Sequence, residues 1–299
     1  MADGRLIGHL AAGGAYAIFG LNIVLCKDIA NADAISPIAI FTIRAICATA
    51  LFWALSLLLP DENVDRKDLK DIALASVIGL FMPQITFLTA ITMSTPLDTA
   101  ILGTLSPIFT MFIAAIVLKE PITAKKAAGV ATSFAGVLFL ILNSVVATNG
   151  IDHTTPLGFA LLILNSLSFA AYLGIFKPLI QKYSVVTFMK WMFLFAILYS
   201  IPFSAHDLVT TDYSSITTEV WLEIGFLVFF ATFVAYFLIP VGQKRIRPTL
   251  VSMYSYLQPI IAATVAIAVG MDVLTWRKVL ATALVITGVV IVNKSRARV

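Results

Sequence analysis

Charge is what this sequence has least of. Only 12% of its 299 residues are Asp, Glu, Lys or Arg, where an ordinary soluble domain carries about 25%. With 60% of the residues hydrophobic, a soluble core could not absorb the apolar side chains without leaving large sticky patches. The two cysteines, Cys26 and Cys47, have no ligand spacing. They exclude a disulfide framework or thiolate metal site and read as unpaired packing residues. His9, His153 and His206 lie far apart, and no paired-acid motif accompanies them. No catalytic residue, metal ligand or cofactor is therefore expected, and an enzyme is not the expected class. A retinal-type receptor is excluded by the lack of a mid-span lysine. The pI near 9 would invite a nucleic-acid partner, but Lys and Arg occur a few at a time with no basic face. The start, MADGRLIGHL, has no positive region followed by a cleavage site, so no removed signal peptide is expected.

What the sequence has is apolar runs. A helix needs about 20 mostly apolar residues to cross the hydrocarbon. Ten stretches qualify, at 5–27, 34–59, 69–92, 95–118, 124–146, 156–182, 184–204, 218–241, 247–270 and 275–293. Short polar segments such as DENVDRKDLK, HDLVTTDYSS and QKRIRP separate them. The expected class is an all-α polytopic membrane protein whose direct environment is lipid. With the N-terminus in the cytoplasm, sixteen Lys and Arg fall on the cytoplasmic side and three, Lys27, Arg277 and Lys278, on the other. The positive-inside rule then places both termini in the cytoplasm.

The chain also repeats itself. LGTLSPIFTMFIAAIVLKEPITAKK, from Leu102, overlays YSYLQPIIAATVAIAVGMDVLTWRK, from Tyr254, at an offset of 152 residues. Phe81 falls on Phe233, Gln84 on Tyr236, Ser106 on Gln258 and Pro107 on Pro259. Glu120 meets Asp272, Lys126 meets Lys278 and Gly136 meets Gly288. Each copy holds five spans, an odd number, so the second copy enters the membrane from the opposite face. The expected division is 1–148 for the first five-helix repeat and 149–299 for the second, inverted one. Inverted repeats supply two states by exchanging the conformations of their halves, which is the physical basis of alternating access.

FGLNIVLCK at Phe19, SPIAIFTIRA at Ser36 and LSPIFTMFIAAIVLKEPIT followed by AAGVATSFAGV carry a family resemblance. The chain resembles the ten-helix EamA branch of the drug/metabolite transporter superfamily, over nearly its whole length. The second copy departs at Asp272, where a Glu is usual, and at Ala281, where the first copy has Gly129. The resemblance implies two inverted five-helix repeats and a small-molecule substrate. Among relatives it is most similar to bacterial amino-acid exporters of the aromatic type, which implies the bacterial inner membrane. Other readings in the same fold are a general drug or metabolite exporter and a nucleotide-sugar or phosphate antiporter. A channel is the rival class. A monomer is the first expectation, with a homodimer as the alternative.

Polar groups inside a span are costly and tend to face a cavity or a partner helix. The candidate substrate-binding set is Phe19, Asn22, Phe81, Gln84, Ser106, Phe169, Tyr172, Phe176, Phe233, Tyr236, Tyr254 and Gln258. Amides and hydroxyls would bond the ends of a zwitterion, and aromatic faces would take its side chain. The competing reading is helix-to-helix bonding and packing. Pro83, Pro107 and Pro259 interrupt their spans and read as hinges, with a static bend as the alternative. Gly129, Gly136 and Gly288 read as close-packing points between the fifth and tenth spans. Arg44 reads first as a brace and second as a carboxylate site, and Lys27 and Lys177 as interfacial anchors. Asp98, Glu120, Glu223 and Asp272 all lie near span ends, with no carboxylate at mid-membrane, so the expectation is facilitated, gradient-driven export or weak coupling through some other group.

Overall fold

The computed structural model describes residues 2–117, 123–146 and 154–294. Among them there is no strand. Ten long helices follow in order: α1 Ala2–Ala32, α2 Pro37–Ser56, α3 Arg66–Ile91, α4 Pro96–Val117, α5 Ala124–Val146, α6 Pro156–Ile175, α7 Val185–Thr210, α8 Thr218–Arg245, α9 Pro248–Ala268 and α10 Trp276–Lys294. Eight of them, α1–α4 and α6–α9, are by length and composition sufficient to cross a bilayer. Glu120, His153 and the motif KEPIT at its acid lie outside the described residues.

Local chemistry sets the starts. Ser36, Thr95, Thr155, Ser184 and Thr217 each accept a hydrogen bond from the backbone N–H three residues on. In three of these the next residue is proline: Pro37, Pro96 and Pro156. An N-cap of this kind contributes about 1 kcal/mol, and proline in the first turn gives up an N–H that had no partner there anyway.

Several boundaries differ from the sequence reading. The first helix runs on to Ala32 before Asp33 turns out at φ 48°, so Lys27 and Asp28 lie within it. The sixth span is broken: α6 stops at Ile175 and a separate short helix spans Lys177–Lys182. Pro178 is the cause, since it has no N–H for the carbonyl four residues back. The seventh helix continues past Ser204 to Thr210.

Helices α5 and α10 pack along their length, and the contact is reciprocal. A Cβ on Gly288 would run into the Gly129 carbonyl oxygen and Ser133. A Cβ on Gly136 would meet the Ala281 carbonyl oxygen at 3.0 Å and Leu284 Cβ at 2.8 Å. Positions 129 and 281, and 136 and 288, are repeat partners. Ser133 Oγ donates to the Val285 carbonyl at 3.0 Å, again 152 residues apart. Contacts in which each half sees the other as it is itself seen belong to a two-fold arrangement. The fold is therefore two inverted five-helix repeats, with the small-residue seam of α5 and α10 on the pseudo-axis, as expected for these glycines.

The repeat also governs where helices are irregular. A π-helical stretch occupies Val77–Phe81 in α3 and Leu227–Val234 in α8; the offset lays the first inside the second. Helix α4 is interrupted between Gly103 and Ser106. Helix α9 winds as 3-10 at Tyr254–Tyr256, the matching place. Pro107 and Pro259 stand just past these interruptions, in the first turn of the resumed helix, and Pro83 just past the π stretch of α3. In a first turn a proline costs little, so Pro107 and Pro259 each mark an existing break instead of bending a continuous helix.

Candidate functional site

The four irregular helices meet α1 and α6 around a cavity of about 80 Å³. Seven of the twelve residues picked out in the sequence line it: Phe19, Asn22, Gln84, Ser106, Phe169, Tyr236 and Gln258, and Pro83 joins them. Both repeats contribute. No lining residue carries a charge.

At its centre Gln84 Nε2 donates to Tyr236 Oη at 2.7 Å. Gln84 Oε1 is buried with no hydrogen-bond partner among the described residues, so the amide keeps an acceptor in reserve. Ser106 Oγ and Tyr16 Oη face each other in the wall, and neither meets full hydrogen-bond geometry with a protein partner. Gly103 leaves room for the Gln258 amide, since a Cβ there would sit 2.7 Å from Oε1. Phe19, Phe169 and Tyr236 form an edge-to-face triangle, with ring centroids 5.6, 6.4 and 6.4 Å apart. This geometry favours aromatic pairs and leaves ring faces along the wall.

The π stretch explains two polar residues of α6. Pro83 has no N–H for Ile78, five residues back, and Ser168 Oγ donates to that carbonyl at 2.7 Å. Asn165 Nδ2 donates to the Pro83 carbonyl at 2.7 Å. In a bilayer such freed carbonyls need a donor from within the protein.

The other five predicted residues stand away from the cavity. Phe81 lies at the end of the π stretch, whose wider turn rotates it off the Gln84 face. It packs on Phe41, Tyr199 and Phe203 instead. Phe233, inside the matching stretch, turns to Phe52 at 4.7 Å. Tyr172 is buried behind Phe169, its ring laid over Gly79. Phe176 caps the broken end of α6 within the core. Tyr254 sits at the α9 break, its hydroxyl 2.8 Å from His9 Nδ1. Sequence reasoning passed over Tyr16, Phe87 and Thr99, which line the cavity. Tyr16 was legible, one helical turn before Phe19 on the face that carries Asn22.

Arg44 is buried and braces the π stretch of α8. Its Nε donates to Thr232 Oγ1 at 2.7 Å, and Thr232 in turn donates to the Leu227 carbonyl at 2.7 Å. It does not line the cavity. Lys27, expected at the interface, is buried and donates to the Ile91 carbonyl at 3.4 Å, at the C-terminal end of α3.

At one end of the bundle a charged cluster ties the loop before α3 to the loop before α7. Lys182 bridges Asp65 at 2.8 Å and also Asp68, and these contacts hold its ammonium pKa above the ordinary lysine range. The Glu62 carboxylate accepts the Ser184 N–H at 3.0 and 3.1 Å. Burial alone would raise its pKa, but the bonds from Ser184 and Thr187 outweigh that and hold it below the usual range.

Ten long helices in two reciprocal halves, with a polar, uncharged cavity where broken helices meet, are the architecture of a membrane transporter. The chain belongs to the EamA-like transporter family, whose model matches residues 6–142 and 156–294. It is 25% identical to the uncharacterized transporter YyaM of Bacillus subtilis (strain 168), over 75% of this chain and 73% of that one. It is 25% identical to an uncharacterized transporter of Archaeoglobus fulgidus, over 88% of this chain and 90% of that one. A protein crystal structure shares the fold at a TM-score of 0.67 and 16% identity, covering 97% of this chain and 96% of that one.

Proposed function

We propose that the protein exports small amino acids, aromatic ones included, from the bacterial cytoplasm by alternating access of the cavity between its repeats. The observation that carries this is the chemistry of the wall. Amides and hydroxyls from both repeats surround the space, aromatic edges and faces flank it, and no ionised side chain lines it. A zwitterion brings one charge of each sign and needs donors and acceptors, not a net countercharge. Gln84 Oε1 is a ready acceptor for an ammonium, and the Phe19–Phe169–Tyr236 triangle supplies surface for an apolar or aromatic side chain. A nucleotide sugar or phosphate ester would call for basic groups, which this wall lacks. On this reading the protein works in the inner membrane with both termini cytoplasmic, in keeping with the split of Lys and Arg.

The test is flux in liposomes holding the purified protein, with labelled phenylalanine, threonine, lysine and a nucleotide sugar offered in parallel. Saturable phenylalanine flux that weakens in Gln84→Ala and Phe169→Ala is the expected result. Flux of the nucleotide sugar alone would overturn the substrate reading, and flux that does not saturate would favour a channel.

A further inference from the structure

The end of the bundle opposite the Lys182 cluster holds a second, deeper set of charges. Asp98, in the first turn of α4, is 1% exposed. Its Oδ2 accepts from Thr154 Oγ1 at 2.7 Å. Its Oδ1 has no hydrogen-bond partner among the described residues, and Lys278 Nζ stands 3.6 Å away. Lys278 spends its bonds elsewhere, on Asp272 Oδ1 at 2.7 Å and Thr95 Oγ1 at 3.2 Å. Asp272 Oδ2 accepts the Leu97 N–H at 3.1 Å. The side chains of Asp98, Asp272 and Lys278 are 1%, 4% and 13% exposed.

Among the described residues this site is one positive charge short. It buries two carboxylates against one ammonium. The α4 N-terminus offsets about half a charge, and its Leu97 N–H is directed to Asp272. Among the described residues the neighbouring elements bring no further buried charge to it: Arg277, next to Lys278 on α10, is exposed and lies over the Trp276 ring. Helices α6 and α9 contain no ionisable side chain apart from Tyr172, Tyr254 and Tyr256, and α5 carries its lysines, Lys125 and Lys126, at its start, the opposite end. On α1, Lys27 is bonded to Ile91 and Asp28 faces Glu223. A buried excess charge of this kind is expensive, and the atom left without a partner is Asp98 Oδ1. The repeat sharpens the point: Asp272 and Lys278 have counterparts in Glu120 and Lys126, but Asp98 falls on Leu250. The first copy keeps one acid and one lysine; the second copy's pair meets a third charge.

We propose that Asp98 is a proton-binding site that couples proton movement to transport. One proton from water adds to Oδ1, Asp98 becomes a neutral carboxyl, and the cluster goes from one net negative charge to none. Its attraction for Lys278 falls, and with it the electrostatic tie between α4 of the first repeat and α10 of the second. The next residue, Thr99, lines the cavity, as do Gly103 and Ser106 further along α4, so a shift of this end moves the wall. A metal cation is disfavoured because the Lys278 ammonium already occupies the position between the carboxylates. The coupling, though not the proton site, rests on the transport reading above.

Infrared difference spectra of the full-length protein in lipid nanodiscs test the site without any flux. Between about pH 5 and pH 9 the wild type should show a deuterium-sensitive protonated-carboxyl band that is missing from Asp98→Asn. The same band should be missing from Asp272→Asn, which keeps Asp98 but balances its charge against Lys278. That second variant decides the matter if Asp98→Asn does not fold. A band that survives unchanged in either variant overturns the proposal. In liposomes, a gradient of one pH unit should raise phenylalanine accumulation by up to about tenfold for one proton per substrate, and Asp272→Asn should be indifferent to it. Wild-type flux indifferent to the gradient overturns the coupling. A band without any phenylalanine flux upholds the site and removes only the substrate reading.

Discussion

Gln84 donates to Tyr236 at 2.7 Å across 152 residues, the register of the repeat itself. Two positions that were equivalent before the halves diverged now hold each other across the pseudo-axis, in the wall of the cavity. Divergence made this possible, since two glutamines or two tyrosines would not form this amide-to-phenol bond. Tyr236→Phe removes the acceptor and leaves a buried amide N–H₂ unpaired, which costs about 1–3 kcal/mol. Chemical unfolding in mild detergent should show that loss. A double change, Gln84→Leu with Tyr236→Phe, should recover part of it, and simple additivity of the two would show that the bond carries no coupling.

The cavity assignment has its own kinetic signature. If Gln84 Oε1 serves as the acceptor for substrate, Gln84→Ala should raise KM for phenylalanine by about tenfold, the worth of one hydrogen bond to a charged group. The maximal rate should change much less. An unchanged KM beside a collapsed maximal rate would move Gln84 from binding to the helix movements.

Most of the architecture was readable beforehand because two kinds of signal are one-dimensional. Twenty-residue apolar runs announce spans, and a register of 152 announces two copies. Which face of α3 and α8 looks inward was not readable. A π turn leaves no mark in apolar composition, yet it rotates everything beyond it, which is why Gln84 and Tyr236 reach the cavity while Phe81 and Phe233 do not. The burial of Asp98 was unreadable for another reason. Its position near a span end was right, but the loop carrying Asp272 and the start of α10 bury it, and that packing is tertiary. Lys27 went the same way once α1 proved longer than its apolar run.

The seam of α5 and α10 yields a sharp contrast. Gly288→Val would drive a side chain into the Gly129 carbonyl and Ser133, both on a packed helix backbone that cannot yield without separating the repeats. Overpacking of this sort costs about 1–3 kcal/mol or more. Gly225→Ala, with nothing within 4 Å of its Cβ, should leave the melting temperature unchanged or raise it. Thermal unfolding of both variants in detergent decides the point, and equal melting temperatures would remove the seam from the pseudo-axis.

Arg44 offers a prediction about the π stretch. Its Nε bond to Thr232 relies on a hydroxyl that also serves the Leu227 carbonyl. Thr232→Val keeps the shape and removes both bonds at once, leaving a buried guanidinium short of an acceptor and a carbonyl short of a donor. A loss of about 1.5–3 kcal/mol is expected for the charged bond alone. Thr232→Ser should restore most of it. If valine and serine behaved alike, the hydroxyl would have no structural role.

Glu62 gives the pH-dependent case. Its carboxylate receives the Ser184 N–H at the start of α7, and those bonds hold its pKa below the ordinary value despite partial burial. A depressed carboxyl contributes stability that is fully present above its unfolded pKa, about 4.3, and that is lost as pH falls through the lower folded value. At neutral pH the wild type should therefore melt above Glu62→Gln, and the gap should close as the pH is taken below about 4. Other carboxyls titrate in the same window, so the difference between the two proteins is the quantity to follow. A gap that stayed constant down to acid pH would mean that Glu62 stabilises the loop by packing, with the charge of its carboxylate playing no part.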